Sequence, residues 1–326
     1  MRAIQVTATG GPDVLVPADL PEPEPGAGEV VVRVAAAGVN FIDTYRRSGV
    51  YPAPLPHVPG DEGAGVVVAI GPGVTEHEVG DRVAWADGSA GSYAELAVVA
   101  AARAVTVPEG VADDAAAAVM LQGMTAHYLV DATFPVREGQ TVLVHAGAGG
   151  VGLLLTQLAR ARGARVLSTV STAEKAELSA AAGAEPLRYD QLGDLTAELP
   201  RLVRERVPGG VDTVYDGVGR TTFDASLACL RPRGGLALFG GASGQVPPFD
   251  PQRLNSGGSL FLTRPTLGHH VATRSELEQR AGAVLDAVAG GTLDVRIGAR
   301  FALADAADAH RALEGRATTG KVLLVP

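Results

Sequence analysis

"VLVHAGAGGVGLLLTQLARARGARVLSTVSTAEKAE", residues 142–177, decides how the rest of the chain is read. It opens on an apolar run, turns through glycines and continues with leucine and alanine at helical spacing. It closes on a second apolar run that ends in serine and threonine. That is strand, tight turn, helix and strand, the first half of a parallel crossover unit. Gly147, Gly149 and Gly152 have the spacing G-x-G-x-x-G, directly after the first strand and at the mouth of the helix. There the first glycine permits the turn, the second lets backbone approach a diphosphate, and the third lets helix and strand pack closely. The diphosphate would rest on N–H groups at the helix N-terminus. Gly147, Ala148, Gly149, Gly150, Val151 and Gly152 are therefore predicted to bind a dinucleotide.

The end of the second strand predicts which dinucleotide. About 20 residues past the glycines, an NAD site presents Asp or Glu to a ribose hydroxyl. Here the chain offers Ser171, Thr172 and Lys175, and its first carboxylate is Glu174 on the next helix. A carboxylate would repel a 2′-phosphate, whereas two hydroxyls and an ammonium can hold one, so NADPH is the expected cofactor. Lysine is scarce: among 27 basic residues only Lys175 and Lys321 are lysines. The alternative is that Lys175 is a solvated helix residue paired with Glu174 or Glu177.

Outward from this stretch, the texture differs on either side. Residues 1 to about 120 are short valine-rich segments broken by Gly and Pro, such as "GEVVVRVAAAGV" and "GAGVVVAIGPGV". They predict a β-rich, partly barrel-like domain. From about Ala115 strands alternate with helical stretches: "TVLVHA", "ARVLSTV", "VDTVYDGV" and "GGLALFGG" are the strands of a doubly wound parallel sheet. "GGSLFLTRP" adds a last strand, helices follow at 273–289 and 304–313, and "GKVLLV" reads as a strand. The fold class is α/β, and 326 residues exceed one ordinary core.

Composition excludes several classes. A net charge of -9 argues against a general nucleic-acid binder. No run approaches the ~18 apolar residues of a membrane span. "MRAIQVTATGGPDVL" reads as a strand and turn, not as a targeting segment, so a soluble cytoplasmic protein is expected. One cysteine, Cys229, rules out an intrachain disulfide or a Cys-rich metal site; its helical spacing with apolar neighbours predicts burial.

The chain resembles the zinc-independent quinone oxidoreductases, the zeta-crystallin-like group of the medium-chain dehydrogenase/reductase superfamily. The resemblance spans essentially the whole length, through "AAGVNFIDTYRRSGVYP", "PGDEGAGVV", "VGDRVAW", "HAGAGGVG", "VYDGVGR", "LFGGASG", "LFLTRP" and "GRATTGKVLL". It implies a GroES-like catalytic domain at 1–122 and 265–326, a Rossmann domain at 123–264, and NADPH in the cleft between them. Zinc-dependent relatives carry an early Cys ligand and "GHE" where this chain has Gly60, Asp61 and Glu62. With one cysteine and scattered histidines, no metal is expected. His269 and His270, adjacent in sequence, are read as a solvated turn.

The resemblance also implies site residues. Asn40, Phe41, Ile42, Asp43 and Thr44 would meet the nicotinamide half, although this segment also suits a strand–helix junction capped by Asn40. Thr125, in "GMTAHY", is expected to open a helix beside the nicotinamide, unless it is helix interior. Tyr189 would lie near the adenine. Phe239, Gly240, Gly241 and Ser243, with Phe261, Leu262, Thr263 and Arg264, would line the nicotinamide and ribose side. Arg316 would reach the cofactor or remain a surface arginine. Pairing of the "GGSLFLTRP" edge with its copy would give a homodimer.

For chemistry, the cofactor supplies hydride and the protein supplies position. Nothing in these segments is an evident nucleophile or carboxylate pair. Asn40, Tyr45 and Tyr51 are the candidate donors to the oxygen of a quinone; the two tyrosines would otherwise pack the cleft wall. The expected activity is direct hydride transfer from NADPH to a quinone. An α,β-unsaturated carbonyl (enoyl) reductase and a non-catalytic, crystallin-like NADPH-binding protein are the alternatives.

Overall fold

The valine runs of the N-terminal third become strands, and the alternating segments after them become strand–helix pairs. The computed structural model describes residues 1–86 and 91–326. They divide into two units, Met1–Met124 with His270–Pro326, and Thr125–His269.

The first unit starts with β1 (Arg2–Gln5) and β2 (Val16–Asp19), which pair antiparallel. Then come β3 (Glu29–Val39), α1 (Phe41–Ser48), β4 (Glu62–Ile70), β5 (Arg82–Ala86), β6 (Leu96–Ala100) and β7 (Val105–Thr106). Helix α2 (Asp113–Tyr128) carries the chain into the second unit. There it forms β8 (Thr141–Val144), α3 (Gly150–Ala161), β9 (Arg165–Val170), α4 (Ala173–Ala181), β10 (Glu185–Arg188) and α5 (Leu195–Arg206). The unit ends with β11 (Val211–Asp216), α6 (Phe223–Cys229), β12 (Leu230–Leu238), α7 (Gln252–Ser256) and β13 (Phe261–Thr263). The chain then returns to the first unit through α8 (Arg274–Ala289), β14 (Ile297–Ala302), α9 (Ala306–Glu314) and β15 (Lys321–Val325).

In the first unit β3 is the organising strand. It pairs antiparallel with β4 along its length, with β6 through its N-terminal half and with β15 through its C-terminal half. A strand shared in this way lets the sheet curl into the partial barrel expected from the sequence. Its alternating valines, Val30, Val32 and Val34, enter a core with Val67, Val83, Trp85 and Leu324. Each such side chain contributes about 1.5–3 kcal/mol on burial.

The second unit holds six parallel strands in the order β10-β9-β8-β11-β12-β13. Parallel strands are covered on both faces and therefore read as continuous apolar runs. Val142, Leu143 and Val144 of β8 are fully buried, as are Leu167 and Val214 on its two neighbours. α3 buries Leu153, Leu154, Leu155 and Ala159 at helical spacing. Cys229 closes α6 inside this core, and burial pushes its thiol up to about 12, so it is inert. Among the described residues no helix is long and apolar enough to cross a membrane.

Candidate functional site

Because the second unit's strands are parallel, their C-terminal ends share one edge of the sheet. From β8 the chain winds outward one way through β9 and β10, then returns to β8's other side with β11. This reversal is the point at which doubly wound sheets receive ligands. Gly147 to Gly152 follow β8 there. A Cβ on Gly147 would lie 2.5 Å from Ser168 Cβ, and one on Gly152 would lie 3.0 Å from Gly147 Cα. Those two glycines are demanded by packing within the protein. Gly149 is different: its Cβ would meet only Ala146 O, at 3.2 Å. It sits at the start of α3, where bare backbone can approach a diphosphate.

Ser171 and Thr172 follow the end of β9. Thr172 caps α4, its Oγ1 accepting from Lys175 N at 3.2 Å. The cap brings the Thr172 hydroxyl and Lys175 into one turn, with no carboxylate between the end of β9 and Lys175 except Glu174. Tyr189 follows β10, and Phe239, Gly240 and Gly241 follow β12. The Ser243 hydroxyl donates to Val218 O at 2.8 Å and accepts from Thr221 N at 3.1 Å, stitching the loop after β12 to the loop after β11. Phe261, Leu262 and Thr263 are the edge strand β13 itself, so only Arg264 follows a strand end.

Beneath these loops lies a network that sequence reading missed. His145, the residue after β8, is buried between Thr169 Oγ1 (2.9 Å) and Ser226 Oγ (3.0 Å). Ser226 donates to Asp216 at 2.7 Å, and Asp216 also accepts from Thr222 Oγ1 and from the N–H groups of Val218 and Gly219. Burial holds the His145 ring below the usual histidine range, against the pull of Asp216. Serine stands between aspartate and histidine, so this is no nucleophile-activating triad. It fixes the ends of β8, β9 and β11, where the loops begin. Its residues stand 24 and 81 positions apart, and no local pattern signals them.

In the first unit α1 carries the other candidates. Asn40 and Asp43 bracket its first turn, Asn40 N donating to Asp43 Oδ2 at 2.8 Å. Gly49 ends the helix in the left-handed region at φ 80°. Phe41 and Tyr45 stack at 6.3 Å along one face, and Tyr51 meets Tyr45 edge-on at 5.4 Å and 75°. Both tyrosines are half-buried. The other face buries charge: Asp43 and Arg47 are 2% exposed each.

Arg47 grips Glu314 with two hydrogen bonds and places Nη1 3.1 Å from His310 Nδ1. A guanidinium has only hydrogens to give, so His310 Nδ1 accepts. Nε2 therefore carries the proton and donates to Tyr93 Oη at 3.0 Å, and Tyr93 donates to Asp43 Oδ2 at 3.2 Å. Burial first, and the Arg47 charge second, lower His310 to about 3, so its ring is neutral. Burial, then the neighbouring Asp61, raise Asp43 to about 7.

Asn40 is spent within this unit. Its Nδ2 donates to Glu62 Oε2 at 2.8 Å and Gly38 O at 3.2 Å, while Oδ1 accepts from Lys321 Nζ at 2.7 Å. Both amide hydrogens are committed, and none is left for a substrate oxygen. Thr44 is buried, its hydroxyl on Phe41 O. Thr125 lies well inside α2 instead of opening it, because the acidic pair Asp113 and Asp114 starts that helix three turns earlier. Arg316 is exposed after α9, at φ 56°. Asp61 and Glu62 are ion-paired, with Arg46 and Lys321 respectively. Among the described residues no group of three His, Cys, Asp or Glu side chains could hold a metal ion.

Two family models match the chain, one described as "Alcohol dehydrogenase GroES-like domain" over residues 26–109 and one as "Zinc-binding dehydrogenase" over 150–286. A quinone oxidoreductase of Pseudomonas aeruginosa is 46% identical over 328 residues, covering 100% of this chain and 99% of its own. A 2-haloacrylate reductase of a Burkholderia species is 42% identical over 335 residues, covering 100% and 99%. A mycobacterial protein solved in complex with NADPH matches with a TM-score of 0.96 at 53% identity, over 100% of both chains.

Proposed function

The chain belongs to the quinone oxidoreductase family of the medium-chain dehydrogenase/reductase superfamily, and from that premise we propose that it is an NADPH-dependent, metal-independent quinone reductase. One observation carries the cofactor choice: a glycine loop at the sheet's reversal point is paired with a β9 end that offers Ser171, Thr172 and Lys175. These residues fit a 2′-phosphorylated dinucleotide, with Gly149 and the α3 N-terminus holding the diphosphate.

NADPH, when bound, supplies a hydride that an electron-poor quinone accepts. The chain's own task is to bind, orient and stabilise charge. Tyr45 and Tyr51, paired edge to face, donate to the quinone oxygen as it gains charge; a positioned donor of this kind is worth a few kcal/mol at most. Asn40, with no amide hydrogen to spare, positions α1 instead of touching substrate. The reduced oxygen is a modest base, so solvent returns its proton. Asp61 and Glu62 have their charges balanced by Arg46 and Lys321, and the reaction calls for no Lewis acid. A single buried cysteine suits the reducing cytoplasm, where we place the protein, as a homodimer paired along β13.

The test is NADPH oxidation by chelator-treated protein with and without 1,2-naphthoquinone, repeated with NADH. Quinone-driven oxidation that favours NADPH is expected; oxidation that quinone leaves unchanged contradicts the reading. The Burkholderia relative favours a second one, reduction of an α,β-unsaturated acid. Turnover of 2-chloroacrylate in preference to the quinone would establish it.

A further inference from the structure

Lys321 is 1% exposed, and its ammonium is sealed between Glu62, itself 0% exposed, and Asn40. A buried ion pair is weak evidence for stability. Taking two charges out of water costs about as much as their attraction returns, and well-packed apolar substitutes are often neutral or better. The residue type is also selected. Apart from Lys175 the chain uses arginine for its basic residues, yet here it uses a lysine. A Cβ on Gly38 would lie 2.7 Å from Lys321 Cε, and it would also collide with Glu62 Oε2. A glycine inside the long strand β3, unfavourable in itself, leaves the space that the Lys321 stem and the Glu62 carboxylate occupy.

The contacts lead to one place. Glu62 Oε2 accepts from Asn40 Nδ2, and Glu62 Oε1 accepts from Leu121 N at 2.6 Å, an N–H inside α2. Lys321 reaches Asn40 Oδ1 from β15. The start of β4, the body of α2 and the start of β15 are thus tied to the residue that precedes α1. That helix has only eight residues, and Tyr45 lies within its second turn. An error at its start reaches Tyr45 almost undiminished.

We propose that Lys321 is a positioning residue of the reduction, its ammonium fixing Asn40 and through it the aim of Tyr45. The inference rests on the quinone-reductase reading above. Removing Lys321 alone would leave Glu62 buried without its counter-charge, so the informative variant is Lys321→Met with Glu62→Gln, which removes both charges and keeps both shapes.

The variant is expected to melt within a few degrees of wild type and to bind NADPH normally, while kcat with 1,2-naphthoquinone falls about ten- to a hundredfold, as misplaced groups near reacting atoms do. In a Tyr45→Phe background the same two substitutions should cost less than about threefold, because they act through the missing hydroxyl. Wild-type kcat in the variant overturns the inference. So does equal loss in both backgrounds, and so does failure to fold, which would assign the pair to stability. Wild-type protein that fails to oxidise NADPH with quinone sinks the reductase reading itself, a distinct outcome seen before any variant is made.

Discussion

At the scale of single residues, Lys175 is the proposed phosphate contact, and the residues proposed to act with it follow in order along the chain. Its partners are neighbours in sequence, and the Thr172 cap brings them into one turn. Lys175→Ala should weaken NADPH binding about ten- to a hundredfold, the worth of a lost charge-assisted contact of about 1.5–3 kcal/mol, and leave NADH unchanged. Titrating both cofactors against both proteins checks this; equal loss for the two would make Lys175 structural. Tyr45 and Tyr51 pose a subtler question, since their edge-to-face pairing is also good packing. Replacing both by Phe keeps the rings and should slow quinone turnover at least as far as the Lys321 and Glu62 substitutions do, with NADPH affinity near normal. Full activity in that double variant would leave the rings as packing only. Asn40 precedes α1 as its N-cap, as its type and position suggest, but its side-chain amide is taken up by Glu62 and Lys321, distant in the chain. No spacing rule reaches across such gaps.

Among elements, α1 shows how a legible helix conceals an unreadable face. "FIDTYRRS" announces itself by its Asn–Asp first turn and its terminal glycine, but not by the burial of Asp43 and Arg47. Arg47 is held there by His310 and Glu314 of α9, and Asp43 Oδ2 by Asn40 N and Tyr93, while Asp43 Oδ1 is buried without a hydrogen-bond partner. A consequence concerns pH. The unfolded Asp43 loses its proton near 3.8 and the folded one near 7. Between those values the folded state holds the extra proton, so stability falls as pH rises through the interval. Asp43→Asn keeps an oxygen for Asn40 N and Tyr93 and abolishes the titration. It should stay within about 1 kcal/mol of wild type near pH 4 and exceed it by on the order of 4 kcal/mol at pH 8. Denaturant melts at the two pH values measure this; a variant less stable at pH 8 than at pH 4, relative to wild type, would contradict the buried, raised carboxyl. Strand legibility followed burial. β8, β9, β11 and β12 stand out as apolar runs. β10, four residues with a proline on the sheet's edge, carries too little apolar signal to mark it.

For the whole molecule, the alternation of strand and helix specified the doubly wound sheet, and the valine-rich segments specified the curled one, since both follow from periodicity and burial. The assembly is a separate matter. β13 is an edge strand, and Phe261 on it is 59% exposed. Edges of this kind are covered or paired in stable proteins, and two copies meeting across a two-fold axis would pair them. Light scattering at micromolar concentration should give roughly twice the 33.1 kDa chain mass, and Phe261→Glu should shift it toward the monomer. A monomeric wild type would refute the pairing. Direct hydride transfer from NADPH to quinone leaves an isotopic trace. Chelated protein mixed with one equivalent of NADPH dideuterated at nicotinamide C4 and excess 1,2-naphthoquinone, followed in a single turnover, is predicted to oxidise the cofactor only when quinone is present. The rate should be slower than with unlabelled cofactor, and one of the two deuterons should leave the nicotinamide. Both deuterons staying in the cofactor while quinone is consumed, or oxidation indifferent to quinone, would contradict it.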